Sequence, residues 1–447
     1  MKSLALPCFA ALVGFVTACA TPSGDEGAES TEEQLRTRDL LGSSPNSEGL
    51  AKTVSSAGTI DTSNAFFQSL GTNDRSCESC HVEGEGWSLT PKGLQERFDK
   101  TGGTHPVFRP HDAATSPSAD VSTVEARRAA YKLLLSRGLI RVGLPVKAES
   151  EFRLVAAEDP YGHASAAQLS MFRRPLPTTN LRFIAAVNWD GRNNNAVPGD
   201  IHLGLGNQIN GGTLNHAKAT AAPDTETRES IIAFETGLAT AQLWHEDAGS
   251  LTTAGATGGP EALLQQPFSL GMNDPSQPGF NRKVFTLYDG WAQSSWSWYS
   301  EARRSVAAGQ RVFNEKTFDI GDGRTGTCSG CHNVPNVGSG SSYRFFDVGV
   351  SDPARRTSDV PLYTFENIAT GERIQTTDAG RALISGKWAD MNRFKVPGLR
   401  GLASRAPYFH DGSAKTVAAV VDHYQQHFKI KFERNERANL VRFLEAL

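Results

Sequence analysis

Cysteine and methionine are scarce in this chain, at 6 and 4 of 447 residues, and net charge is low, at −3 with histidine neutral. Charge so balanced and of mixed sign excludes a nucleic-acid binder or a polybasic membrane-surface protein. Beyond the N-terminus no run approaches the roughly 18 apolar residues of a spanning helix, so the body is expected to be soluble. Aromatics are nearly absent from Ala20 to about Ile60, where Ser, Thr, Gly and acidic residues dominate, and that composition predicts a flexible linker over 20–60. No fixed-period repeat appears. What the chain does have is one short arrangement of its rare cysteines, used twice.

Cys77, Cys80 and His81 stand in SCESCH, and Cys328, Cys331 and His332 in TCSGCH. Chance would place a C-x-x-C-H about 0.002 times in a chain of this composition. A Cys₄ zinc site needs its pairs about 15–20 residues apart and has no use for the trailing histidine, and a thioredoxin-like pair needs a βαβ setting. C-x-x-C-H is the attachment signature of c-type haem: two thioether bonds hold the porphyrin edge and the next residue offers imidazole to the iron. His81 and His332 are then the proximal ligands of two covalent haem c groups.

The other two cysteines, Cys8 and Cys19, fall in MKSLALPCFAALVGFVTACA, which reads as a signal peptide over 1–19. Its Val-Thr-Ala-Cys ending predicts a lipobox with Cys19 as the lipid-anchored residue, the alternative being ordinary cleavage nearby. Export fits covalent haem and implies a periplasmic or cell-surface protein that meets the membrane through its anchor only. The remaining length suits two haem domains, over 61–298 and 299–447. Apolar periodicity predicts helices over 124–140, 227–246, 301–314 and 435–447, with short strands at YRFFDVGV and ERIQTT.

Two further segments, FRRPLPTTNLRFIAAVNWDGR and FKVPGLRGLASRAPYFHDGSAKTVAAVVDHY, together with the paired haem motifs, make the chain resemble the bacterial di-haem cytochrome c peroxidase and MauG family. The resemblance covers roughly residues 64 to 447. It implies a mainly α fold of two cytochrome-c-like domains, with long loops and a few short strands. The first haem would react with hydrogen peroxide and the second would store or relay electrons from a small c-type cytochrome or cupredoxin. Trp189 matches the tryptophan that conducts between the haems; residue type alone favours a core tryptophan ahead of an Asp-Gly turn.

In the peroxide pocket the resemblance points to Gln208, while Lys218 stands where the family carries glutamate. His216 is the candidate replacement acid–base, since an imidazole titrates near neutrality. Tyr424 matches the distal ligand of the second haem, with Met391, the only methionine after Cys331, and His423 as alternatives. A phenolate stabilises ferric iron, so Tyr424 tilts expectation toward a MauG-like oxidase of a protein or organic substrate. A third reading is a non-enzymatic electron-transfer dihaem cytochrome. Calcium between the domains is a candidate only through the carbonyls of Arg405 and Pro407, because Arg174 replaces an asparagine ligand. His105 and His111 are candidate resting-state ligands of the first haem, Arg192 a candidate propionate partner, and His410 a candidate for orienting a carboxylate.

Overall fold

The computed structural model describes residues 42–295, 298–321 and 323–447. The export signal, Cys19 and the first part of the expected linker lie outside the described residues. From residue 43 the linker expectation fails, because Ser43–Asn46 (β1) and Gly49–Ser55 (β2) are antiparallel strands. Leu50 and Ala51 are buried there. Thr53, polar by composition, takes hydrogen bonds inside the fold: the Trp87 indole N–H donates to its hydroxyl at 2.9 Å, and Thr240 meets it at 2.8 Å.

Helix α1 (Pro91–Thr101) begins at the Thr90 cap with Pro91 in its first turn and ends at Gly102 in the left-handed region. The predicted helix over 124–140 is broken at Tyr131, whose hydroxyl donates to the Phe108 carbonyl, giving α2 (Val124–Ala130) and α3 (Lys132–Arg137). The chain then turns at Gly138 into β3 (Ile140–Leu144), and β4 (Phe152–Glu158) and β5 (Leu169–Arg173) follow. Helix α4 (Ile201–Gly211) precedes α5 (Thr225–Gly237), where the predicted helix over 227–246 also stops early. Its second half is the fully buried strand β6 (Leu238–His245), paired with β2 on one side and with β7 (Gly249–Ser250) on the other. Burial on both faces explains the error, since a strand covered on both sides loses its alternation.

Helix α6 (Ser300–Glu315) matches its expectation, as do strands Phe345–Phe346 and β9 (Arg373–Thr376), the latter paired with β8 (Leu362–Asn367). Strand β8 also pairs with β4, so both halves of the chain contribute to one sheet, in the order β9-β8-β4. Helices α7 (Val417–His427) and α8 (Glu436–Glu445) close the fold. α6 and α8 cross at Gly309, where an added Cβ would lie 1.9 Å from the Asn439 carbonyl oxygen, so only glycine permits this approach. Phe285 meets Phe313 and Phe443 edge-on at 5.2 Å beneath this crossing, and Cys328 packs against the same core. With 34 % helix and 16 % strand the fold is mixed, which corrects the mainly α expectation. Part of the sequence between helices is strand, because it buries apolar residues in paired strands, whereas residues 101–123 and 251–288 contain no strand.

Candidate haem sites

Each C-x-x-C-H forms one tight turn in which the histidine amide donates to the first cysteine's carbonyl at 3.1 Å, in both His81 to Cys77 and His332 to Cys328. All four cysteines are free thiols. Burial pushes the thiols up, to about 12 for Cys328 and about 11 for Cys331. His81 Nδ1 lies 3.2 Å from the Trp87 carbonyl and His332 Nδ1 2.7 Å from that of Gly338, in each case six residues on. Donation through Nδ1–H fixes the tautomer and leaves the Nε2 lone pair for a metal. Burial pushes both imidazoles down to about 4, so they stay neutral.

Around His81 stands a polar cluster. Asp112, buried, accepts from Arg75 Nη1 and from His216 Nδ1, each at 2.6 Å, and lies 3.2 Å from His111 Nε2. Burial alone would raise its carboxyl. The hydrogen bonds of His111 and His216 and the Arg75 charge outweigh this and hold it well below the usual range. Arg75 is itself fixed by the carbonyls of Pro106 and Val107. His216 ends a π-helical turn, Gly212–His216, directly after α4. It is close enough to His81 to lower that imidazole further. Gln208 is half-buried on α4, where its carbonyl accepts from the Gly212 amide and its side-chain amide has no hydrogen-bond partner among the described residues. Lys218 is exposed, and His105 is tied within its own loop by the Val107 amide.

The second motif has different neighbours. Tyr424, half-buried on α7, lies parallel to Phe428 at 6.1 Å and edge-on to Phe409 at 6.0 Å. Burial, and then the neighbouring Cys331 and Cys328, push its phenol above the ordinary range. Met391 instead packs with Phe152, Leu169 and Tyr363 beside the shared sheet. His423 is turned to the Val348 carbonyl at 2.7 Å. Of the three candidate ligands, Tyr424 is the one beside the cysteines.

Trp189 lies where the halves meet. Its indole N–H donates to the Arg174 carbonyl at 2.8 Å, its own carbonyl accepts from the Lys395 amide, and His410 stands edge-on at 6.3 Å. Asp190 binds Arg173, which holds Asp378 through two hydrogen bonds of 2.6 and 2.8 Å. Arg192 pairs with Asp190, which accounts for its charge without a propionate. His410 sits 3.8 Å from Asp378, beyond hydrogen-bond distance. The Arg405 carbonyl accepts from the buried Arg174 guanidinium at 3.2 Å, so one of the two carbonyls considered for calcium already has a cationic partner from the chain.

Sequence reasoning missed Arg75, Asp112 and a set of buried cations. A cavity of about 30 Å³ is lined by Ile184, Val337, Pro397, Lys395 and Arg405. Among the described residues the Lys395 ammonium donates only to the Ala186 carbonyl, and the Arg174 and Arg405 guanidinium groups likewise hold only carbonyls. Burial lowers Lys395 to about 7 and Arg174 and Arg405 to about 10. Arg141, buried near His111, leaves Nε and Nη1 unpartnered. Buried cations without carboxylates fit the anionic propionates of two haem groups, and the free thiols and Nδ1-anchored imidazoles fit their attachment. The adjacent dipeptide His111–Asp112 was the available sequence signal for the first cluster; spacing carried none for the cations.

No protein-family model matches the chain. It is 37 % identical over 121 residues to the cytochrome c551 peroxidase of Nitrosomonas europaea, covering 27 % of this chain and 30 % of that one. It is 33 % identical over 144 residues to the cytochrome-c peroxidase IdrP2 of Denitromonas iodatirespirans, covering 29 % and 38 %. Against the methylamine utilization protein MauG of Methylorubrum extorquens it is 37 % identical over 86 residues, covering 15 % and 24 %. The chain thus spans well under half the length of the curated relatives it matches. Among solved structures, a MauG-like protein associated with microbial copper homeostasis aligns with 87 % of this chain and 88 % of its own, at 14 % identity and a TM-score of 0.40.

Proposed function

We propose that this relative of the di-haem cytochrome c peroxidases and MauG is an exported, lipid-anchored oxidoreductase. It reduces hydrogen peroxide at the haem of Cys77, Cys80 and His81 with electrons relayed from the haem of Cys328, Cys331 and His332. The observation that carries the reading is the Asp112–His216 hydrogen bond beside His81. Bound haem supplies the electrons that cleave the O–O bond; the chain supplies proton handling and orientation. Asp112 accepts from Nδ1–H of His216, leaving Nε2 to take the proton from one peroxide oxygen and return it to the other. Arg75 keeps Asp112 ionised, and the Gln208 amide orients the oxygen pair. Peroxide, two electrons and two protons yield two waters. Trp189 would carry electrons between the sites, and Tyr424 would offer its phenol oxygen to the iron of the second. A small c-type cytochrome or cupredoxin is the donor.

Tyr424 favours a second reading, a MauG-like oxidase that withdraws electrons from a protein or organic substrate. Rapid mixing of peroxide with fully ferric and half-reduced protein tests the choice. Reaction only after half-reduction supports the peroxidase, and reaction of the ferric form supports the oxidase. Silence of both forms would leave an electron carrier and overturn the enzymatic reading.

A further inference from the structure

Glu235, in the last turn of α5, is 2 % exposed, and its Oε2 has no partner among the described residues. Its neighbours in sequence, Ile231, Ile232 and Leu238, belong to the apolar cluster against which Cys77 packs. The adjacent Phe234 meets the Trp87 ring at 5.8 Å, and the Trp87 carbonyl is the one that holds His81. The carboxyl is close enough to Cys77 for its charge to raise that thiol. Burial is the sole cause that lifts Glu235 to about 8.

Charged groups on the packed elements face elsewhere. On α4, His202 is exposed and bonded to Glu229 of α5; on the turn Leu181–Phe183, Arg182 donates to the Leu264 carbonyl. The turn Ala65–Phe67 carries no charge. On α5 itself, Glu226 and Arg228 lie in the first turn, at the opposite end. A carboxyl with no partner in an apolar cluster disfavours its ionised form.

We infer that Glu235 takes up a proton when the haem of His81 is reduced. The inference rests on the haem assignment above but not on peroxide as substrate. One electron converts ferric to ferrous iron, and one proton from solvent converts the Glu235 carboxylate to the acid. No bond to the cofactor forms or breaks. Reduction removes one positive charge beside the carboxylate, which makes its ionised form less favourable in so dry a site.

The test is a redox titration of the purified dihaem protein, following each haem band, from about pH 6 to about pH 10. The midpoint potential of the first haem is expected to fall as pH rises, and the second to stay flat. Glu235→Gln, which keeps shape and burial, is expected to abolish the slope at the first haem. An unchanged slope in Glu235→Gln, or a flat first haem in the wild type, overturns the inference. Should Glu235→Gln fail to fold, redox-difference infrared spectroscopy of wild-type protein labelled with ¹³C-glutamate decides: an isotope-sensitive carboxylic-acid band that grows on reduction supports it, and its absence overturns it. Neither readout uses peroxide, so inactivity as a peroxidase would leave the result standing.

Discussion

The two C-x-x-C-H sites share their anchor and differ in almost everything around it. In both, the histidine amide closes the turn at 3.1 Å and Nδ1 is held by a carbonyl six residues on. Around His81 are Arg75, Asp112, His111, His216 and Glu235, groups able to hold or pass protons. Around His332 are Phe313, whose ring stands 6.1 Å away, and Tyr424 in an aromatic stack with Phe428 and Phe409. On the proposed reading one attachment device would serve two purposes, since what decides the chemistry of a bound iron is its company and not its anchor. A proton-rich surround suits bond cleavage, while an apolar aromatic one suits holding an electron with little reorganisation.

The largest expected effect comes from removing one anchor. Replacing Cys77 and Cys80 by serine should halve covalent haem staining and abolish peroxide turnover, whereas Cys328→Ser with Cys331→Ser should leave peroxide binding but no sustained turnover. Binding equal in both would erase the contrast. Next, His216→Ala and Asp112→Asn should each slow the peroxide reaction about 10²–10³-fold with both haem spectra intact, since positioned acid–base groups contribute that much. Asp112→Asn should also shift the pH profile, which a purely structural role would not. A smaller, complementary effect is expected at the other site: Tyr424→Phe should change only the second haem's spectrum, with the peroxide binding rate kept within about twofold.

Those variants also divide what could be read from the chain. Helices α6 and α8 were legible because local spacing carries them, while the haem motifs, Trp189 and Tyr424 were singled out by motif alone. The π-turn brings His216 to Asp112 across 104 positions, and no periodicity records such a contact. Strand β6 was misread because burial on both faces erases alternation. The strands β1 and β2 were missed because the polar side chain of Thr53 is satisfied by Trp87 and Thr240, partners far along the chain. The buried cations Lys395 and Arg405 escaped for the same reason: charge in a sequence looks solvated until the fold surrounds it.

The smallest expected effect lies between the sites. Arg173 joins Asp190 of the first half to Asp378 of the second. Burial alone would raise the Asp190 carboxyl, but the charges of Arg192 and Arg173 hold it at about 2. The unfolded carboxyl titrates at about 3.9, so this depressed group stabilises the fold above that pH and loses the contribution as pH falls through about 2. Acid unfolding followed by circular dichroism should show a loss on the order of 2 kcal/mol in that window, and Asp190→Asn should remove the pH dependence of that portion.

The central claim, one open reactive site and one closed electron-holding site on the same anchor, is tested most directly by titrating the ferric protein with cyanide under electron paramagnetic resonance. The account predicts that cyanide converts the His81 haem signal alone, with the Tyr424-side signal unchanged at saturation. Conversion of the second haem, or of neither, would contradict it.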